Sequence, residues 1–207
     1  MKLYNYFRSS ASFRVRIALN LKGLPYEYAV VHLTKGGGQQ FAPEFRAINP
    51  DALIPVLDDE GQRLTQSLAI IEYLDERHPA PPLLPGDALA RARIRSLALD
   101  IACEIHPLNN LRVLRYLVRD LKLSEDDKNR WYRHGVETGL EAVERQLAAQ
   151  PARFCHGDAP TLADLTLVPQ IFNAQRFKVS LDGLPLTMGV FDACMALPAF
   201  QQAQPSA

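Results

Sequence analysis

Four prolines in the eight residues Pro79-Ala80-Pro81-Pro82-Leu83-Leu84-Pro85-Gly86 divide this 207-residue chain into two stretches with different periodicity. Proline fixes φ and lacks the N–H that a helix or a central strand requires, so the segment reads as a stiff, extended connector. Before it, strand and helix signals alternate. After it, every periodic segment is helical. The expected architecture is an α/β domain over residues 1–80 followed by an all-α domain over residues 87–207. A hydrophobic content of 47% in a chain of this length is enough for two small cores.

In the first stretch, Lys2 to Phe7 reads as a strand and Ser12 to Lys22 as a helix with Val15, Ala18 and Leu19 on one face. Gly23-Leu24-Pro25 stops that helix, and Tyr26 to Leu33 forms a second strand, completing a βαβ unit. Lys35-Gly36-Gly37-Gly38-Gln39-Gln40 reads as a flexible loop, long enough to fold over a ligand. A short helix is expected over residues 43–47, a strand over 54–58, a turn at Glu60-Gly61, a strand through Leu64 and a helix from Ser67 to Arg77. In the second stretch one helix is expected from Asp87 to Ile105, continuing past Pro107 to about Leu121, and another from Ser124 to Ala149. Thr161-Leu162-Ala163-Asp164 opens a further helix as a capping box with Asp where Glu or Gln is usual, and a last helix covers about Leu186 to Leu197.

Lys plus Arg and Asp plus Glu each total 23, so no basic excess points to nucleic acid or an anionic membrane. No apolar run approaches the ~18 residues of a membrane span, and the N-terminus has no secretory pattern, so a cytoplasmic location is expected. The three cysteines, Cys103, Cys155 and Cys194, are widely spaced and form no C-x-x-C pair. The five histidines lack ligand spacing, and no metal is expected.

Chemistry concentrates at Arg8-Ser9-Ser10-Ala11-Ser12-Phe13-Arg14-Val15-Arg16, where the first strand passes directly into the first helix. A helix N-terminus leaves N–H groups unpaired and carries partial positive charge, so it stabilises a thiolate or carboxylate placed there. The serines either cap that helix or donate to such an anion. A βαβ unit followed by a proline-initiated strand, a hairpin and a helix is the order of a thioredoxin-like domain. Both positions that would carry its reactive cysteines are hydroxyls here, so a thiol has to arrive as a ligand. A tripeptide thiol fits, with its backbone on Ile54, its carboxylate at Gln66-Ser67 and its sulfur at Ser9. Pro55 inside an apolar run is explained either by a strand start or by a cis Ile54-Pro55 bond that frees the main chain of Ile54 for such pairing.

These motifs resemble the zeta class of glutathione transferases, the family of maleylacetoacetate isomerases and the similar maleylpyruvate isomerases. The matching parts are Arg8-Ser9-Ser10 with Arg14-Val15-Arg16-Ile17-Ala18-Leu19, Asn49-Pro50 before Ile54-Pro55, and Gln66-Ser67-Leu68-Ala69-Ile70-Ile71-Glu72-Tyr73-Leu74. Ile105-His106-Pro107-Leu108-Asn109-Asn110 and Thr161-Leu162-Ala163-Asp164-Leu165 extend the likeness through the second stretch. The resemblance implies a homodimer using glutathione as cofactor, with a cis bond before Pro55. It implies Ser9 as the hydroxyl that stabilises the thiolate, with Ser10 beside it, and Gln40, Ile54, Gln66, Ser67, His106 and Asn110 as glutathione ligands. Arg8 and Arg176 are then expected to face an acidic substrate, while Arg14 and Arg16 are read as structural. The family's usual Ser-Ser-Cys is Ser9-Ser10-Ala11 here, which removes a thiol from the site and bears on accessory activities.

The implied reaction is cis to trans isomerisation of a maleyl diketo acid, maleylacetoacetate, by reversible addition of glutathione. Maleylpyruvate is the alternative substrate. Other readings are a general transferase acting on electrophiles or α-halo acids, and a non-catalytic carrier or scaffold.

Overall fold

The structure, a computed structural model, describes residues 1–205. Its elements begin with β1 (Lys2–Asn5), α1 (Ser10–Leu21), β2 (Glu27–Val30), α2 (Pro43–Arg46), β3 (Val56–Asp59), β4 (Gln62–Thr65) and α3 (Ser67–Arg77). They continue with α4 (Ala88–Leu99), α5 (Leu111–Arg119), α6 (Glu125–Ala149), α7 (Leu162–Arg176), α8 (Pro185–Met195) and α9 (Pro198–Ala203). Two compact units result, one of residues 1–83 together with the chain from Ala196 onward, the other of residues 84–195. The helical unit therefore ends at Met195, short of the boundary at 207 drawn from sequence.

In the first unit the strands lie in the order β2-β1-β3-β4, with β1 parallel to β2 and antiparallel to β3. Leu3, Val56 and Leu57 are fully buried at its centre. This is a thioredoxin-like sheet. Helix α1 packs on α3, and on the other side Phe45 of α2 closes over Tyr6, Val31, Ile54 and Val56. Every residue of α1 from Ser12 to Leu19 is buried, more than a one-faced amphipathic helix requires. The cause is α9, which returns to lie along α1. Asn20 Nδ2 donates to the carbonyl of Ala199 at 3.0 Å, and Arg16 Nε to that of Ala203 at 3.0 Å.

The glycine-containing loop is more ordered than its composition predicts. Two 3-10 turns, Lys35–Gly37 and Gln39–Phe41, occupy it. His32 N–H donates to Gln39 Oε1 at 2.7 Å, while His32 Nδ1 accepts from Lys35 N–H at 3.0 Å. The start of the proline segment is likewise pinned. The buried Lys22 ammonium binds Asp75 at 2.8 Å and donates to the carbonyls of His78 and Pro81.

In the second unit the long helix expected from Asp87 through Leu121 is broken. Helix α4 ends at Leu99, a wider π-type turn covers Asp100–Ile105 and a 3-10 turn covers Pro107–Asn109. Pro107 cannot donate within a helix, and Asn110 starts α5 afresh by accepting from Arg112 and Val113 N–H. Helix α6 starts at a Ser124 cap, carries Glu125, Asp126 and Asp127 where the helix dipole favours them, and buries Tyr132, Val136, Leu140, Val143 and Leu147. Gly139 allows the Ile105 side chain to lie against it, since a Cβ there would stand 2.4 Å from Ile105 Cγ1. The expected last helix is two, α8 and α9, with Pro198 at the first position of the second.

The capping box of α7 is present as expected, and it ties down more than its own helix. Asp164, fully buried, accepts from Thr161 N–H at 2.7 Å, Thr161 Oγ1 at 2.9 Å and Cys155 N–H at 2.8 Å. Burial raises its carboxyl pKa, and these donors offset only part of the rise. Asp164→Ala leaves two buried N–H groups without acceptors and is expected to cost about 3 kcal/mol in urea denaturation. A loss below about 1 kcal/mol would contradict this role.

Candidate active site

The first unit gathers seven of the expected residues onto the turn after β1, the 39–41 turn, the start of β3 and the N-terminus of α3. Ser9 is the N-cap of α1, in extended backbone conformation. Its Oγ accepts the N–H of Ser12 at 3.2 Å. Capping and anion binding, the two roles open from sequence, are compatible at this atom. A hydroxyl has one proton and two lone pairs, so accepting the cap bond leaves its O–H free to donate. Ser10, inside the helix, is buried, whereas Arg8 is exposed with its guanidinium 5.0 Å from the ring of Phe7.

The turn carrying Ser9 is fixed from below. Ser9 N–H donates to the carbonyl of Tyr6 at 2.9 Å. Arg16 Nη1 reaches the same Tyr6 oxygen at 3.4 Å, and Nη2 binds the Phe7 carbonyl at 3.0 Å.

Ile54–Pro55 is a cis bond, and the antiparallel ladder between β1 and β3 begins only at Val56 opposite Tyr4. The backbone of Ile54 thus lies before the strand, with its side chain in the core beneath α2. Gln66 precedes α3 at φ 66° and ψ 112°, a conformation unfavourable for a residue with a Cβ, and its side chain is exposed and forms no cap bond. Ser67, at the first position of α3, is 7% exposed and accepts from Arg14 Nη1 at 3.2 Å. Gln40 is 4% exposed. Its Nε2 donates to the Leu33 carbonyl at 3.4 Å, and its Oε1 is buried without a partner. Gly38, at φ 121°, gives this amide room, because a Cβ there would stand 2.7 Å from Gln40 Nε2.

In the second unit His106 is half-buried between the π-type turn and the 3-10 turn. Asn110 spends its Oδ1 capping α5 and keeps its amide N–H groups as donors. Arg176 ends α7, exposed, 5.3 Å from the ring of Phe177, which itself stacks on Tyr132 at 4.0 Å. No ion pair to Arg8 or Arg176 occurs among the described residues. Arg14 and Arg16, expected to be structural, bond to the Ser67 hydroxyl and to the carbonyls of the Ser9 turn. Their position two and four residues after Ser12 gave no sign that one holds the Ser67 hydroxyl and the other the Ser9 turn.

Comparison with known proteins extends over both units. Family profiles described as "Glutathione S-transferase, N-terminal domain" and "Glutathione S-transferase, C-terminal domain" match residues 3–82 and 129–200. The chain is 49% identical to a probable maleylacetoacetate isomerase of Vibrio cholerae over 98% of this chain and 94% of that protein. It is also 49% identical to a maleylpyruvate isomerase of Ralstonia over 100% of this chain and 98% of the relative. Among solved structures, the holo form of a bacterial zeta-class maleyl pyruvate isomerase superposes with a TM-score of 0.96 at 49% identity, covering 99% of this chain and 97% of that one. A maleylacetoacetate isomerase from Methylobacterium extorquens, crystallised with malonate and glutathione, gives 0.95 at 41% identity, covering 99% and 96%. Sheet order, helical second unit and full-length identity agree, and the chain belongs to the zeta class of the glutathione transferase family.

Proposed function

We propose that this protein is a glutathione-dependent cis–trans isomerase of a maleyl diketo acid, converting maleylacetoacetate to fumarylacetoacetate. Full-length identity of 49% to the Vibrio cholerae and Pseudomonas aeruginosa isomerases carries the reading. The residues of the first unit suit glutathione. Ser9 has a spare O–H donor beside a helix N-terminus, the Ile54 main chain precedes the ladder, and the buried Gln40 Oε1 lacks a donor. When bound, glutathione supplies a thiolate nucleophile that adds reversibly to the cis double bond, so that the bond between the two carbons can rotate.

The chain's own groups set the conditions for that step. Ser9 Oγ donates to the sulfur and favours its ionised form, with Ser10 next to it on the first turn. A free thiol has a pKa of about 8.5, and each unit of depression is worth about 1.4 kcal/mol. Gln40, Ile54, Gln66 and Ser67 bind the peptide portion, and His106 and Asn110 are assigned to glutathione by their match to the family motif. Arg8 and Arg176 pair with the carboxylates of the acid and hold charge that develops on its keto oxygen. Neither guanidinium has an ion-pair partner among the described residues to surrender.

The same chemistry serves maleylpyruvate, and the equally identical Ralstonia relative favours it as the second substrate. We assign the working form to a cytoplasmic homodimer, with the first unit as the glutathione-binding domain and the helical unit, ending at Met195, as the substrate-binding domain. No described helix is long and apolar enough to cross a membrane.

A glutathione-dependent assay of both acids tests the proposal: conversion to the trans isomer with glutathione recovered unchanged is expected, and accumulation of a stable thioether product would contradict it. Arg176→Ala is expected to raise KM for the acid about tenfold or more while leaving glutathione affinity unchanged, and an equal loss of both would refute the assignment. Gln66→Gly removes the backbone strain and one side-chain contact together. Calorimetry should show stability unchanged or raised by up to about 1 kcal/mol and glutathione binding weakened, whereas tighter binding would exclude Gln66 as a ligand.

A further inference from the structure

Arg16 is a cation enclosed by neutral groups. It is 4% exposed, and its partners are the carbonyls of Ala203, Tyr6 and Phe7 and the Oδ1 of Asn5, at 3.0, 3.4, 3.0 and 3.1 Å. The ring of Phe13 lies 5.4 Å from the guanidinium. From the β2 segment, Tyr26 and Tyr28 face it, both with pKa values raised by burial and hence uncharged at neutral pH. Among the described residues, α9 contributes only a carbonyl, β1 only the Asn5 amide and the turn after β1 two carbonyls, and no carboxylate pairs with it. Burial pulls its pKa down, the direction expected of a charge taken out of water without a counter-ion. Arginine stays protonated at any working pH, so the charge persists.

Buried arginines are ordinarily paired, because an uncompensated interior charge costs several kcal/mol. Here that charge lies below the residues that present Ser9. Side chains of a helix tilt toward its N-terminus, and Arg16 runs back along α1 until Nη1 shares the Tyr6 carbonyl with Ser9 N–H. The exposed Arg8 is the other cation of this turn, and the buried Arg14 on α1 is directed to Ser67.

We propose that Arg16 is a positioning residue whose unneutralised charge, added to the α1 N-terminus, favours ionisation of a thiol held at Ser9. The charge acts through a low-dielectric interior, where salt screens it little. The missing carboxylate is then a functional feature, because a partner at Asn5 would cancel the field. This inference rests on the reading that glutathione binds at Ser9.

The test is Asn5→Asp, a near-isosteric change that sets a carboxylate on Arg16 Nη1. The thiol of protein-bound glutathione is titrated by its thiolate absorbance, alongside glutathione affinity and thermal stability. The expected result is a rise of about one pH unit in the bound thiol's pKa, a tenfold loss of thiolate at pH values below it, with glutathione still bound. A merely structural role would shift thermal stability and leave the titration unmoved, which overturns the proposal. Should Asn5→Asp not fold, Arg16→Lys and Arg16→Gln replace it. Lysine keeps the charge and should leave the pKa near that of the parent, glutamine should raise it, and equal shifts overturn the assignment. A parent whose bound thiol is depressed but insensitive to these changes overturns the Arg16 role alone, whereas a parent that does not bind glutathione overturns this inference and the site reading together.

Discussion

The bond from Ser12 N–H to Ser9 Oγ decides what the first unit can do. It fixes where α1 begins, and it uses the oxygen of Ser9 as an acceptor while leaving the hydroxyl proton unspent. A helix that started one turn earlier would bury that proton in its own ladder, and one that started later would move the positive end of the dipole away from it. Everything else in the unit bears on holding this start in place. The Tyr6 carbonyl, just after β1, accepts from Ser9 N–H, Arg16 binds that carbonyl, and α9 closes over Arg16.

A second feature is the separation of cost from benefit. Gln66 is held at positive φ, Ile54 gives up its place in the ladder, Gln40 keeps a buried oxygen unpaired, and Arg16 keeps a buried charge with no carboxylate partner among the described residues. Each is unfavourable in the isolated chain, and each lies on the same unit as Ser9. The stability that tolerates them comes from the packed core of the same unit, the buried faces of α1 and α3.

Much of this was legible in the sequence because it depends on local rules. The apolar period and its stop signals gave α3 at Ser67–Arg77, the residues observed, and the Thr161–Asp164 spacing gave the start of α7. What was missed depends on partners distant in sequence. Arg16 meets Ala203, 187 residues away, so nothing near either residue marks the contact. The return of α9 to the first unit was hidden for the same reason, as was the contact of Arg14 with the Ser67 hydroxyl, 53 residues away. The break at Asn110 was readable, since Asn before an apolar run is a cap signal, but the helical period on both sides of Pro107 concealed it.

The central claim is that a hydroxyl at a helix start keeps a borrowed sulfur ionised. Titrating the thiolate absorbance of glutathione bound to the parent and to Ser9→Ala measures it directly. The account expects a thiol pKa well below the ordinary value of about 8.5 in the parent, returning by one unit or more toward it in the variant. An unchanged titration curve in Ser9→Ala, with glutathione bound as before, would contradict it.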